Sequence, residues 1–302
     1  MKKNVLLIFL MLSLFRCSPP SENDHPFRIV TTTGMIKDAV KNLVQDRAQV
    51  VALMGPGVDP HLYKASQGDL GKLTQADMVF YNGLHLEGKM GEVLEKLGRL
   101  KPVIAVSEEI DPNRLRSPPE FKGAYDPHIW FDVRLWKEAV KRMGKGLMQH
   151  DPANASFYEE NLQHYLAVLD TLHENVLKKI QTLPASERNM ITAHDAFGYF
   201  GQAYGMEVHG LQGISTVSDF GLKDITNLVN FIQEKKIKAI FVETSVSPRS
   251  IEAVVEGCNQ KGWPVKIGGK LYSDAMGEEG TFEGTYVGMV TTNVNTLVNA
   301  LQ

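Results

Sequence analysis

Between Ala153 and Leu183 the chain carries neither glycine nor proline, and large apolar residues recur three or four positions apart. Phe157, Tyr158, Leu162, Tyr165, Leu166, Leu169, Leu172, Val176, Leu177 and Ile180 carry this pattern, that of a single long helix. At 1.5 Å per residue it would run about 45 Å, longer than one small domain needs. On both sides of it the pattern changes to short β-type runs alternating with helix-type segments. Before it come "RIVTTT", "QVVALM", "DMVFYNG" and "KPVIAV", with helices expected over 34–44, 65–75, 86–98 and 132–150. After it come "RNMITA", "MEVHGL", "IKAIFVET" and "PVKIGG", with helices expected over 197–205, 219–236, 247–262 and 285–302. Such alternation implies parallel strands joined by crossover helices. The expected fold is α/β: two lobes with parallel sheets, residues 27–150 and 185–302, joined by a linking helix over 151–184.

The first residues follow another logic. Lys2 and Lys3 precede the apolar run "NVLLIFLMLSLF", too short to span a bilayer, and Cys17 follows almost directly. Residues 1–16 read as an export signal, Cys17 as a lipidation site, and 17–26 as a polar, proline-containing tether. Arg16 stands where lipoprotein signals carry a small residue. Loss of 1–16 removes three positive charges, Lys2, Lys3 and Arg16, and takes the net charge from −3 to −6. That balance, with no run of Lys and Arg, leaves no nucleic-acid footprint. The second cysteine, Cys258, is then unpaired and reads as a partly buried bystander near a helix end.

The chemistry-bearing residues gather after strands. Asp59-Pro60-His61 and Asp126-Pro127-His128 are the same turn written twice, each followed by an aliphatic and an aromatic residue. Proline fixes its own φ, and the aspartate before it can accept the histidine's backbone N–H, so each turn holds an imidazole in one direction. His61 follows the second strand, His194 follows "NMITA", Glu243 closes "IKAIFVE" and Asp274 lies just past "PVKIG". Ligands of open parallel sheets bind beyond the carboxyl ends of the strands. Two candidates come from each half, with Glu243 in reserve, so the natural meeting point is the cleft between the lobes. Three histidines and a carboxylate suit a divalent transition metal. Asp59, Asp126 and Glu243 are candidates to support the ligands from behind. His25, His150, His164, His173 and His209 have no matching context, and His85, which follows a strand, is the nearest to an extra ligand. The aromatics of "AFGYFGQAYG" are expected to pack a helix on a sheet. Histidine ligation also implies affinity nearly complete above about pH 7.5 and weakening near pH 6, around the ordinary imidazole pKa of about 6.5.

"MGPGVDPHLY", "DPHIWFDVRLW", "TAHDAFGYF" and "GGKLYSDAMG" resemble the metal-site segments of the zinc/manganese-binding lipoproteins that feed ABC importers, in the TroA-like branch. The resemblance runs from about residue 27 to the end. It implies an extracytoplasmic, membrane-anchored monomer with His61, His128, His194 and Asp274 as ligands of Zn2+ or Mn2+, and an importer permease as partner. Residues 109–128 lack the His/acid-rich loop of typical zinc-uptake members. The third ligand is His194 where many manganese-dedicated members carry Glu. Two other classes stay open at this point. A metallohydrolase would need an open metal position and a base, for which Glu243 would serve were Asp274 not a ligand. An adhesin would use the metal only as a structural clamp.

Overall fold

The computed structural model describes residues 26–302 except 120, 122 and 219. The signal segment 1–16, Cys17 and the tether to residue 25 lie outside the described residues. Strands β1 (Phe27–Thr31), β2 (Ala48–Ala52), β3 (Met78–Tyr81) and β4 (Val103–Ala105) form one parallel sheet in the order β2-β1-β3-β4. Their runs are mainly apolar, as expected where helices cover both faces of a parallel sheet, with Arg28 and Gln49 near the strand starts. Helices α1 (Gly34–Val44), α2 (Gln67–Gln75) and α3 (Gly91–Gly98) make the crossovers, and α4 (Val133–His150) closes the first half.

In the second half β5 (Asn189–His194) pairs with β6 (Glu207–Gln212), and β7 (Ala239–Glu243) with β8 (Lys266–Leu271), both parallel. Because β5 also lies beside β7, the spatial order β6-β5-β7-β8 repeats the second-first-third-fourth order of the first half. Helices α6 (Gly198–Tyr204), α7 (Leu222–Lys235), α8 (Arg249–Gln260) and α9 (Tyr286–Leu301) complete it.

The long helix α5 (Ala155–Gln181) has 27 residues, about 40 Å at 1.5 Å each. The expected apolar face is the buried one, and it packs on α1 and α4 of the first half and α9 of the second. One apolar core therefore runs from Ile29 through α5 to Leu301 and binds both halves. Tyr199, Phe200 and Tyr204 of α6 are buried in it, a packing role as expected.

Two expectations need correction. The helix expected from residue 86 starts only at Gly91. Glu87 turns inward instead, accepting the Thr32 hydroxyl at 2.7 Å and the N–H groups of Asn82 and Gly83 at 2.7 and 3.2 Å. A buried carboxylate satisfied by the end of β3 pins the backbone in a turn, with Gly83, Leu84 and His85 at positive φ. Cys258 is fully rather than partly buried, in an apolar cluster between α7, α8 and the neighbouring strands.

Candidate metal centre

Both Asp-Pro-His segments form the turn their sequence encodes. Asp59 Oδ1 accepts the backbone N–H of His61 at 2.8 Å, and Asp126 Oδ1 that of His128 at 3.0 Å. The two turns come from different ends of the first sheet and aim their imidazoles at one point, with Nε2 atoms 3.3 Å apart. His194, the last residue of β5, and Asp274, three residues past β8, enter from the second half. One ligand atom from each of His61, His128, His194 and Asp274 lies within 4.8 Å of every other, and all four residues are buried.

The spacings are those of a coordination shell. Asp274 carboxylate oxygens lie 3.2 Å from His194 Nε2, 3.4 Å from His128 Nε2 and 3.7 Å from His61 Nε2. A tetrahedral zinc with bonds of about 2.0–2.1 Å places its ligand atoms about 3.3–3.4 Å apart. Neither oxygen of Asp274 accepts a hydrogen bond from the protein, although the side chain is buried. A carboxylate left without donors in a dry site is costly unless a cation meets it.

Two of the three sequence-predicted supporting carboxylates stand behind an imidazole ring, and the third holds its histidine only by the backbone. His128 Nδ1 lies 2.7 Å from Asp126 Oδ1, and His194 Nδ1 2.5 Å from Glu243 Oε2. At His128 this hydrogen bond puts the hydrogen on Nδ1 and turns the Nε2 lone pair to the centre, and at His194 the adjacent carboxylate favours the same tautomer. Glu243 Oε1 also takes the backbone N–H of His194 at 2.9 Å, so this carboxylate supports a ligand and is not free to act as a base. Asp59 supports only the backbone of His61, and its other oxygen accepts the Thr216 hydroxyl at 2.6 Å. His85 is exposed on its turn and takes no part.

Further contacts around the ligands hold the two halves of the centre in register. The Trp130 indole N–H donates to Ser273 O at 3.0 Å, and the Tyr286 hydroxyl donates to Trp130 O at 2.7 Å. The residue two after His128 is thereby tied to the residue before Asp274. Asn82 Nδ2 donates to Pro127 O at 2.9 Å, fixing the second Asp-Pro-His turn to the end of β3. Sequence reasoning missed Thr216, Trp130, Ser273 and Asn82 as supports. Only the tryptophan, immediately beyond the repeated turn, carries a local signal.

Electrostatics divide the histidines. Burial acts to keep every imidazole neutral, and at His61 it prevails, bringing the pKa to about 3. At His128 the same burial is outweighed by Asp126 and Asp274, and the pKa rises to about 9. At His194 it is outweighed by Glu243 and Asp274, which hold the pKa well above the ordinary value. Asp274, against its burial, is held well below the usual carboxylate range by His194 and His128. A divalent ion would take the place of the protons on His128 and His194. Four protein donors close the centre, which suits capture of an ion and leaves no position for a reacting water.

The family described as "zinc-uptake complex component A periplasmic" (ZnuA) matches residues 29–300. The chain is 48% identical to manganese-binding lipoprotein MntA of Bacillus subtilis, over 98% of this chain and 97% of that protein. It is 50% identical to zinc-binding protein TroA of Treponema pallidum, over 90% of this chain and 88% of that protein. The solved structure of the periplasmic TroA from Treponema pallidum superposes with a TM-score of 0.90 at 49% identity, covering 92% of this chain and 99% of that one. The chain belongs to the ZnuA family and is the extracytoplasmic substrate-binding component of a metal ABC uptake system, not an enzyme.

Proposed function

We propose that this protein captures zinc or manganese outside the cytoplasmic membrane and passes the ion to the permease of its own uptake system. His61, His128 and His194 bind through Nε2 and Asp274 through its carboxylate. Residues 27–150 and 185–302 serve as the lobes of a monomer, with 151–184 as the strut between them. The observation that carries this reading is the convergence of four buried donors, drawn equally from the two halves and all within 4.8 Å of one another.

Similarity does not choose the ion, because a manganese-binding and a zinc-binding relative are nearly equally close. The donor set does. Three imidazoles favour zinc, whereas manganese lies at the weak end of the divalent order and prefers oxygen. Protein stripped with a chelator is expected to stay folded, since its core is apolar and continuous without the ion. Retitrated with both ions at buffered, equal free concentrations, it should take up zinc. Manganese displacing zinc would reverse the ranking, and unfolding on chelation would make the metal a structural clamp as in the adhesin reading.

Cys17 is proposed as the lipid-bearing residue, the relatives MntA of Bacillus subtilis and SloC of Streptococcus mutans being lipoproteins that this chain matches over 98% and 100% of its length. More than one acyl chain is needed for firm anchoring. Cys17→Ser should therefore release the exported protein from membranes or leave it unprocessed. A signal-cleaved Cys17→Ser protein that still sediments with membranes would refute the anchor.

A further inference from the structure

The place of a side chain at Gly198 is already taken. A Cβ there would lie 0.9 Å from Nη1 of Arg116 and 2.0 Å from its Cζ, so the guanidinium lies across the start of α6. From that seat Nη1 donates to Asp126 Oδ2 at 3.3 Å. The other oxygen of Asp126 holds His128 twice, through the backbone N–H at 3.0 Å and through Nδ1 at 2.7 Å. Asp126 is fully buried, and a buried carboxylate is tolerated only when its charge is met. The backbones are stapled as well. Asp126 N–H donates to Arg116 O at 2.8 Å, while the Tyr199 hydroxyl accepts the Arg116 N–H at 2.9 Å and donates to Asp126 O at 3.0 Å. The other two supports are built differently. Asp59 meets a neutral hydroxyl, and both oxygens of Glu243 face His194.

We propose that Arg116 is a positioning residue for the metal centre, seated by Gly198. It holds Asp126 in the orientation that keeps the Nε2 of His128 aimed at the ion, and it does so from a loop of the first half laid on the helix that follows His194. The inference rests on the ligand role proposed for His128.

The test uses zinc and cobalt(II) as probes on the full-length chain. Removing the outer partner of a metal-bound histidine costs about 10–100-fold in affinity, and Arg116 acts one contact further out, so Arg116→Gln should weaken zinc binding by about tenfold. Gly198→Ala should do the same without removing a charge, by displacing the guanidinium. The double variant should lose no more than the worse single one, because both break the same contact. Arg116→Lys, which keeps the charge, should recover part of the loss. The visible d–d band of bound cobalt should change in Arg116→Gln and Gly198→Ala, a readout of ligand geometry that a loss of stability alone would not move. Wild-type affinity with an unaltered cobalt spectrum in Arg116→Gln, or additive losses in the double variant, would overturn the proposal. If Gly198→Ala does not fold, Arg116→Gln and Arg116→Lys decide alone, since neither adds an atom to α6. Failure of the wild type itself to bind either ion would instead overturn the ligand assignment.

Discussion

Alanine at His61 should abolish high-affinity zinc binding while leaving the metal-free protein as stable as the wild type. Four-ligand zinc sites contribute roughly 10–16 kcal/mol, so one ligand is worth about 3 kcal/mol, or between two and three powers of ten in affinity. The same loss is expected for His128→Ala and His194→Ala. Stability separates the three. Burial holds His61 neutral, and no carboxylate stands behind its ring, so its removal orphans no charge. His128→Ala leaves Asp126 still facing Arg116. His194→Ala leaves Glu243 buried with the ring that met it gone, and breaking a buried pair in this way costs about 3–5 kcal/mol. Zinc titration and thermal melts of the three variants, with His85→Asn as the control, test the order. Asparagine suits the left-handed backbone at His85 and should bind normally. Unchanged zinc affinity in His61→Ala would remove that residue from the centre.

Acidification should weaken binding over a wider and higher range than free imidazole would suggest. Without an ion, Asp126 and Asp274 raise His128 to a pKa of about 9, and Glu243 and Asp274 raise His194 well above its ordinary value. His128 is protonated at pH 7.5, whereas His61, lowered to about 3, is not. Ligation requires neutral imidazole, so uptake of the ion expels the protons. The sign follows: affinity rises with pH until His128 and His194 have both lost their protons, and falls as pH drops below that range. The plateau near pH 7.5 expected from unperturbed histidine is displaced upward. Calorimetry at pH 7.5 in buffers of different ionisation enthalpy should show protons released as zinc binds. Zero release, with affinity flat from pH 7 to 9, would contradict this picture. His61 adds nothing to the slope above about pH 5 because burial has already removed its proton.

The supports in the centre show where local sequence is enough and where it is not. Asp59 and Asp126 could be placed because an Asx-Pro turn is a three-residue event, closed by a hydrogen bond to the histidine two positions on. Glu243 was visible as a strand-end acid, yet its sequence position did not say whether it would bind metal, act as a base or hold a neighbour. That depended on β7 lying next to β5, which brings its carboxylate to Nδ1 of His194. Glu87 shows the reverse case: a helix-forming stretch lost its first turn because a carboxylate found backbone donors at the end of β3.

By itself the sequence determined the two α/β halves, the unbroken helix between them and the strand-end candidates for the centre, Glu243 still among them. These depend on short-range causes: apolar periodicity, the absence of glycine and proline over 153–183, and turn chemistry at strand ends. Only the tertiary structure decided how far apart the donors stand, which histidines carry protons and which side chains hold them from behind. Arg116 against Gly198, Trp130 against Ser273 and Thr216 against Asp59 join residues 82, 143 and 157 positions apart. Such contacts follow from how the packed halves meet. Burial and the nearness of charges, which set the imidazole pKa values, exist only once the core has brought those halves together.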